Sequence, residues 1–365
     1  MSNYDQFAAA VKEISGGKNV VLLDDLGLPS VYVPINKLKN SEIISGGSEN
    51  THPAFSVDGV EKGRFLYSKY QNIIINGRAY SLSHRDPKIY VNFDTARQAC
   101  EAKGAGFHLG TLAEWAAVAL LTRKMGTMPH GNNNYGKDSV YTYEKGQESA
   151  KDGSNTGRTF TGSGPATWGH DHTQFGIQDM NGNVWEWLGG MRLNEGEIQI
   201  IPYNNAALGS ECDMSASSTL WKAIKNDGSL VAPGTAATLK YDFVSGNIQL
   251  TTGITSAQDT GRGGSYTAMT LASGVTAPEL AKALILYPDE LGKDYGGDYH
   301  WMNNTGERLP VAGGNWSHGA NAGVFNLNLN NARSNSNSNI GFRSALPSYC
   351  QISRRSTDVL SVHEG

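Results

Sequence analysis

An α+β protein is predicted by three features of the 365-residue chain: two capped helical patterns before residue 126, short strand patterns concentrated after residue 180, and 44 glycines that make the connections loop-rich. At 39% hydrophobic and 18% charged residues the chain is long and apolar enough for a substantial core and is not disordered. A net charge of −4 with no basic cluster argues against a nucleic-acid surface. No window approaches the length of a membrane span, and the first residues, MSNYDQFAAAVKEISGG, lack the apolar core of a signal peptide. The cysteines, Cys100, Cys212 and Cys350, are three in number, far apart and in no metal-ligand pattern, which suits reduced thiols.

Residues 1–50 read as a small β-rich unit: a short helix over 6–14, strands over Asn19–Asp25 and Ser30–Ile35 with a turn at Leu26-Gly27, and a polar boundary at Ser45–Thr51. The main domain is expected over 51–346, with a tail over 347–365. Phe65–Leu82 has strand composition and a hairpin turn at Asn76-Gly77. Asp94 is placed to cap a helix that carries Ala96, Ala99 and Cys100 on one face and ends near Gly104. Thr111 and Glu114 have the spacing of a reciprocal capping box, followed by Leu112, Trp115, Ala116, Ala119 and Leu120 at helical period. The chain is then irregular up to DMNGNVWEW (Asp179–Trp187). Residues 192–260 read as an insertion with strands in GEIQIIPY and a hairpin in LKYDFVSGNIQLT, and GRGGSYT, VAGGNW, VFNLNLN and IGFRSAL complete the core.

The run Gly313–Ala345, GGNWSHGANAGVFNLNLNNARSNSNSNIGFRSA, holds nine asparagines. Asparagine is a poor strand former and costly wherever its amide lacks partners. In VFNLNLN, however, Phe325, Leu327 and Leu329 alternate with Asn326, Asn328 and Asn330, the period of a strand with one buried and one exposed face. The asparagines are therefore expected to point outward, from a frame of Gly313, Gly314, Trp316, Gly319, Gly323, Arg333, Ile340, Gly341, Phe342 and Arg343.

The ordered set YVNFDTARQAC, HLGTLAEWAAVAL, DMNGNVWEW, GRGGSY, GGNW, NARS and NIGFRSA resembles the formylglycine-generating-enzyme branch of the C-type lectin fold over most of residues 60–346. Within that branch, Gly313–Ala345 resembles the variable region of proteins diversified by a retroelement, a family that includes a tropism determinant of phages. Such systems copy a template RNA with errors at adenines, so the adenine-rich asparagine codons become the substituted positions. The resemblance implies ligand binding by Asn315, Ser317, His318, Asn321, Asn326, Asn328, Asn330, Asn331, Asn335, Asn337 and Asn339. Ser317 and His318 are included because a single adenine change in an asparagine codon yields either.

The partner so implied is a host-cell surface protein or glycan, met by a phage or prophage tail protein made in the cytoplasm, with homo-oligomer or virion assembly expected. Two alternatives stand beside it. A formylglycine-generating oxidase needs cysteines just before the ARS element, where this chain has VFNLNLNN. The other is a structural virion or surface protein, or a cytoplasmic one, that is not diversified at all. The resemblance also implies a structural calcium at Asp179, Gly182, Val184 and Glu186; the alternative is a turn held by Trp185 and Trp187 in the core. The HDH tract His170–His172 reads as polar loop rather than metal tract, and Arg262-Gly263-Gly264 as tight backbone packing rather than a phosphate cradle.

Overall fold

The computed structural model describes residues 3–347; Cys350 and the expected tail after residue 347 lie outside the described residues. Two sheets and two main helices organise the chain. The first sheet has the strand order Val20–Leu23, Pro29–Asn36, Arg64–Ser68, Ser344–Pro347, His108–Leu109. The larger sheet runs through Arg262–Ser265, Tyr299–Met302, Gly323–Asn331, Glu307–Gly313 and Met191–Asn194 into the strands of the 192–260 region.

Residues 1–50 are not the separate unit expected from their composition. Their strand Pro29–Asn36 pairs antiparallel with Arg64–Ser68, which in turn pairs with Ser344–Pro347. Tyr32, Val33 and Ile35 are buried in this shared sheet, so the polar stretch at 45–51 is a surface loop within one body. The 192–260 segment is likewise continuous with the larger sheet: Met191–Asn194 pairs with both Glu197–Ile200 and Glu307–Gly313. The hairpin expected in LKYDFVSGNIQLT is present, as Lys240–Val244 paired with Asn247–Thr251.

Local signals decide the helices. Thr111 accepts the N–H of Glu114 at 3.2 Å while the Glu114 carboxylate accepts the N–H of Thr111 at 3.0 Å, closing the expected capping box. The helix Leu112–Met125 then ends at Gly126 in the left-handed conformation. The Phe93–Glu101 helix is capped by Asn92, not Asp94: the Asn92 side chain accepts the N–H of Thr95 at 2.8 Å, and Asp94 sits in the first turn instead. Asn76 and Gly77, both at positive φ, join Ile73–Ile75 to Arg78–Tyr80 as the expected hairpin turn.

The Leu112–Met125 helix lies against the inner face of Gly323–Asn331. Trp115 donates its indole N–H to the Val324 carbonyl at 2.7 Å, and Phe325, Leu327 and Leu329 join Trp115, Ala116 and Ala119 in the main core. Burying each of these large side chains contributes about 1.5–3 kcal/mol. Truncation of Leu327 to alanine is therefore expected to cost about 2–5 kcal/mol. Asn328→Ser on the opposite face should stay within about 0.5 kcal/mol. Equilibrium denaturation of the two variants measures the contrast.

Candidate functional site

The loop Asp179–Trp187 fastens both ends of the asparagine-rich segment. At its near end the Gly182 N–H donates to the Gly313 carbonyl at 2.8 Å, and Glu186-Trp187 pairs antiparallel with Val311-Ala312. At its far end the Trp185 N–H donates to the Asn339 carbonyl at 2.8 Å, and Trp185–Trp187 runs parallel to Ile340–Phe342. Gly182 has φ +78, and a Cβ there would lie 2.1 Å from the Asn132 carbonyl, so the turn requires glycine. Gly323, at the start of the asparagine strand, is equally constrained: its Cβ would lie 2.1 Å from the Asp298 carboxylate, which accepts the Phe325 N–H at 2.6 Å.

Beneath the loop, Glu186 meets Arg343 at 2.6 Å with both side chains buried. Arg343 also donates to the carbonyls of Lys69 and Gln178. The Gln71 amide nitrogen donates to the Asp179 carbonyl at 3.2 Å, the Val184 carbonyl at 3.0 Å and the second Glu186 oxygen at 3.0 Å. These oxygens overlap the set expected to hold calcium. They converge on an amide nitrogen, and the Asp179 carboxylate turns away to accept the Gly162 N–H at 2.8 Å. Calcium needs about six to eight oxygens around an open position, so the residues Asp179, Gly182, Val184 and Glu186 do not fit the ion. Gln71, which the sequence did not single out, and Arg343, one of the expected frame residues, do the neutralising and bridging.

On the outer face of the larger sheet the asparagines divide. Ser317, Asn321 and Asn337 are exposed, and His318, Asn328, Asn330, Asn335 and Asn339 are partly exposed. Asn315, Asn326 and Asn331 are buried, with Asn326 at 0% exposure, which corrects the expectation that Asn326, Asn328 and Asn330 all stand in solvent. The loop before the strand folds back over the start of the row. Asn326 donates its amide to the Asn321 carbonyl at 2.5 Å, and the His318 ring packs 4.9 Å from Trp185 and 5.5 Å from Trp301. Asn315 turns inward because its side-chain oxygen accepts the Ser317 N–H at 2.9 Å. Asn331 is tied to Asn335 at 2.6 Å. Burial lowers the His318 pKa to about 4, so its ring is neutral at neutral pH.

Tyr299 and Trp301, absent from the expected site, stand beside this row. Trp301 pairs in register with Asn328, while His300 pairs with Leu327 on the core side. The aromatic alternation in Tyr299-His300-Trp301 is a period-two signal that sequence reading could have found.

The other candidates resolve as structure. His170 is buried, accepts the Ile177 N–H at 2.9 Å and has its pKa lowered to about 4 by burial. His172 contacts the Met128 carbonyl, and among the described residues no group of three or more His, Cys, Asp or Glu side chains is placed to hold a metal ion. Gly263 lies in a strand, where a Cβ would come 2.2 Å from the His300 carbonyl, so the Arg262-Gly263-Gly264 run is tight packing. Cys100 and Cys212 are buried free thiols, and burial pushes that of Cys212 up to about 11.

An α+β core whose DMNGNVWEW loop is tied to the GFR strand defines a fold class already suggested by the motifs. The sulfatase-modifying factor enzyme 1-like domain matches residues 54–272, more than half of the chain, and the chain belongs to that family. Its fold is the formylglycine-generating-enzyme branch of the C-type lectin fold. The match ends before the asparagine-rich segment. No curated protein matches.

Among solved structures, the Major Tropism Determinant U1 variant is 13% identical, over 87% of this chain and 63% of that one, with a TM-score of 0.30. The Treponema denticola variable protein 1 is 11% identical, over 90% of this chain and 99% of that one, with a TM-score of 0.32. The Major Tropism Determinant P3c variant is 12% identical, over 90% of this chain and 71% of that one, with a TM-score of 0.30. The chain thus spans 63% of the length of the U1 variant.

Burial raises the Asp179 carboxyl from 3.8 to about 6, and its second oxygen has no partner. The folded state holds this proton more tightly than the unfolded chain, so the carboxyl's contribution is present in acid and is lost as pH rises from 3.8 to about 6. Asp179→Asn is expected to remove a fall of about 3 kcal/mol across that window. Chemical denaturation at several pH values measures it. With the Gln71 amide at the centre of the oxygen cluster, a chelator should leave the melting temperature of the wild-type protein unchanged.

Proposed function

We propose that this protein is a non-catalytic ligand-binding protein whose segment 313–345 displays positions diversified by a retroelement, and that it serves as a receptor-binding protein of a phage or prophage tail. The observation that carries the reading is how the segment is held. Its irregular parts are anchored through main-chain atoms: the Tyr135 N–H donates to the Trp316 carbonyl at 2.7 Å, the Gly319 N–H to the Asn133 carbonyl at 2.8 Å, and the Tyr90 N–H to the Asn337 carbonyl at 3.0 Å. Trp316 and Asn337 contribute only carbonyls to these ties, while Gly319, at φ +58, belongs to the fixed frame. Solvent-facing side chains between the anchors can therefore change while the backbone stays in place, as in antibody loops on a rigid scaffold.

The solvent-facing set for such binding is Ser317, His318, Asn321, Asn328, Asn330, Asn335, Asn337 and Asn339. Asn315, Asn326 and Asn331 shape the loops from within. The partner is a host-cell surface protein or glycan, and assembly into oligomers would add avidity to weak single contacts. No helix among the described residues is long and apolar enough to cross a membrane. The segment before Ala332-Arg333-Ser334 carries no cysteine for formylglycine formation, and the buried Cys100 and Cys212 thiols are poor nucleophiles.

A display library substituted at the eight solvent-facing positions, selected against host surface extracts, tests the proposal, with a matched library on exposed positions of 192–260 as control. Folded binders are expected from the first library. Binders from the control library alone would place the site elsewhere. A cysteine-containing sulfatase peptide incubated with the protein and copper should remain unconverted by mass spectrometry.

A further inference from the structure

Small amides alone make weak anchors, since binding hot spots are usually Trp, Tyr or Arg. The display face nevertheless carries an aromatic platform that lies outside the diversified segment. Trp301 and Tyr299 project from the neighbouring strand with ring centroids 4.4 Å apart, and Trp301 meets Trp185 edge-on at 5.9 Å. A Cβ on Gly263, the residue paired with Trp301, would lie 2.6 Å from the Tyr299 ring and 2.9 Å from the Trp301 ring. That glycine lets both rings settle against the sheet. The platform is rigid, only partly exposed, and one strand spacing, about 4.8 Å, from the asparagine row.

Next to it the amides present a single polarity. The Asn328 side-chain oxygen accepts the Asn330 N–H at 3.0 Å, and the Asn330 oxygen accepts the Asn303 amide at 3.2 Å. Each thus spends its acceptor within the protein and keeps its NH2 group for a ligand, the two being about 7 Å apart along the strand. Charge beside the row is already paired: Asp259, which accepts the Asn303 amide next to Asn330, is held by Arg308. From Gly313 to Ala345 the charged residues are Arg333 and Arg343, and both are engaged, with Glu307 and Asp94 and with Glu186 respectively.

We infer that Trp301, a fixed residue, anchors the ligand of this variant, and that the ligand is a neutral glycan whose pyranose ring stacks on Trp301 while its oxygens accept from Asn328 and Asn330. A sugar ring offers an apolar C–H face for an indole and hydroxyl groups around its edge. A charged glycan or a protein held by ion pairs would find the charges beside this face already paired within the protein. The inference rests on the display reading above but makes a separate claim, because it assigns the anchor to a residue that diversification leaves unchanged.

The full chain should be tested against arrayed neutral polysaccharides and oligosaccharides, with anionic glycans alongside, and any binding quantified by calorimetry. At least one neutral glycan is expected to bind, with affinity unchanged on raising salt to about 0.5 M, where surface charge interactions are screened. Trp301→Ala should weaken that binding about tenfold or more, Trp301→Phe should weaken it less, and Asn328→Asp, which removes the donor, should weaken it with the platform intact. Absence of neutral-glycan binding, preference for anionic glycans, or wild-type affinity in both Trp301→Ala and Asn328→Asp would overturn the inference. If the library at the eight positions yields binders to host proteins while no neutral glycan binds the wild type, the glycan assignment falls and the display reading stands.

Discussion

The buried ion pair between Glu186 and Arg343 is the contact on which the rest of the site depends. Glu186 lies in the strand that pairs with Val311-Ala312 on one side and Ile340–Phe342 on the other, so it stands between the two ends of the asparagine-rich segment. Arg343 extends the same tie to the first sheet through the carbonyls of Ser68 and Lys69, and Gln71 closes the remaining oxygens of the loop. Separating such charges by removing one partner costs about 3–5 kcal/mol, because the other is left buried and unpaired. With its ends fixed in this way, the intervening chain needs few side-chain contacts of its own.

That arrangement separates folding from recognition. The inner face of Gly323–Asn331 joins the main core through Phe325, Leu327 and Leu329, and the loops on either side are held by main-chain bonds together with the buried amides of Asn315, Asn326 and Asn331. Residues such as Ser317, Asn321 and Asn337 contribute little packing, so substitution there has little to disturb. The function proposed above would use the same geometry: a face whose chemistry changes while its backbone stays put could sample ligands without a new fold for each.

How much of this was legible in the sequence depended on whether the signal was local. The capping box at Thr111 and Glu114, the Asn76-Gly77 turn and the alternation of Phe325, Leu327 and Leu329 are set by residues within a few positions of one another, and all three are present in the structure. Alternation tells which face a side chain takes. It does not tell whether that face is covered, and so the burial of Asn326 beneath the 315–322 loop was not legible. Gln71 was hidden for a similar reason, since it lies 113 residues from the Val184 carbonyl it satisfies. The motif DMNGNVWEW suggested an ion; only a distant amide shows what occupies the centre. The first fifty residues looked separate because their boundary is polar, whereas their strand pairing is with residues 64–68.

The unfolding free energies of two variants compare the frame with the display surface most directly. One carries simultaneous substitutions at Ser317, Asn321, Asn328, Asn337 and Asn339; the other carries Glu186→Gln alone. The five changes together are expected to cost no more than about 2 kcal/mol, the sum of small surface effects. The single change should cost about 3–5 kcal/mol as a broken buried pair. A five-site variant that unfolds more readily than Glu186→Gln would contradict the account.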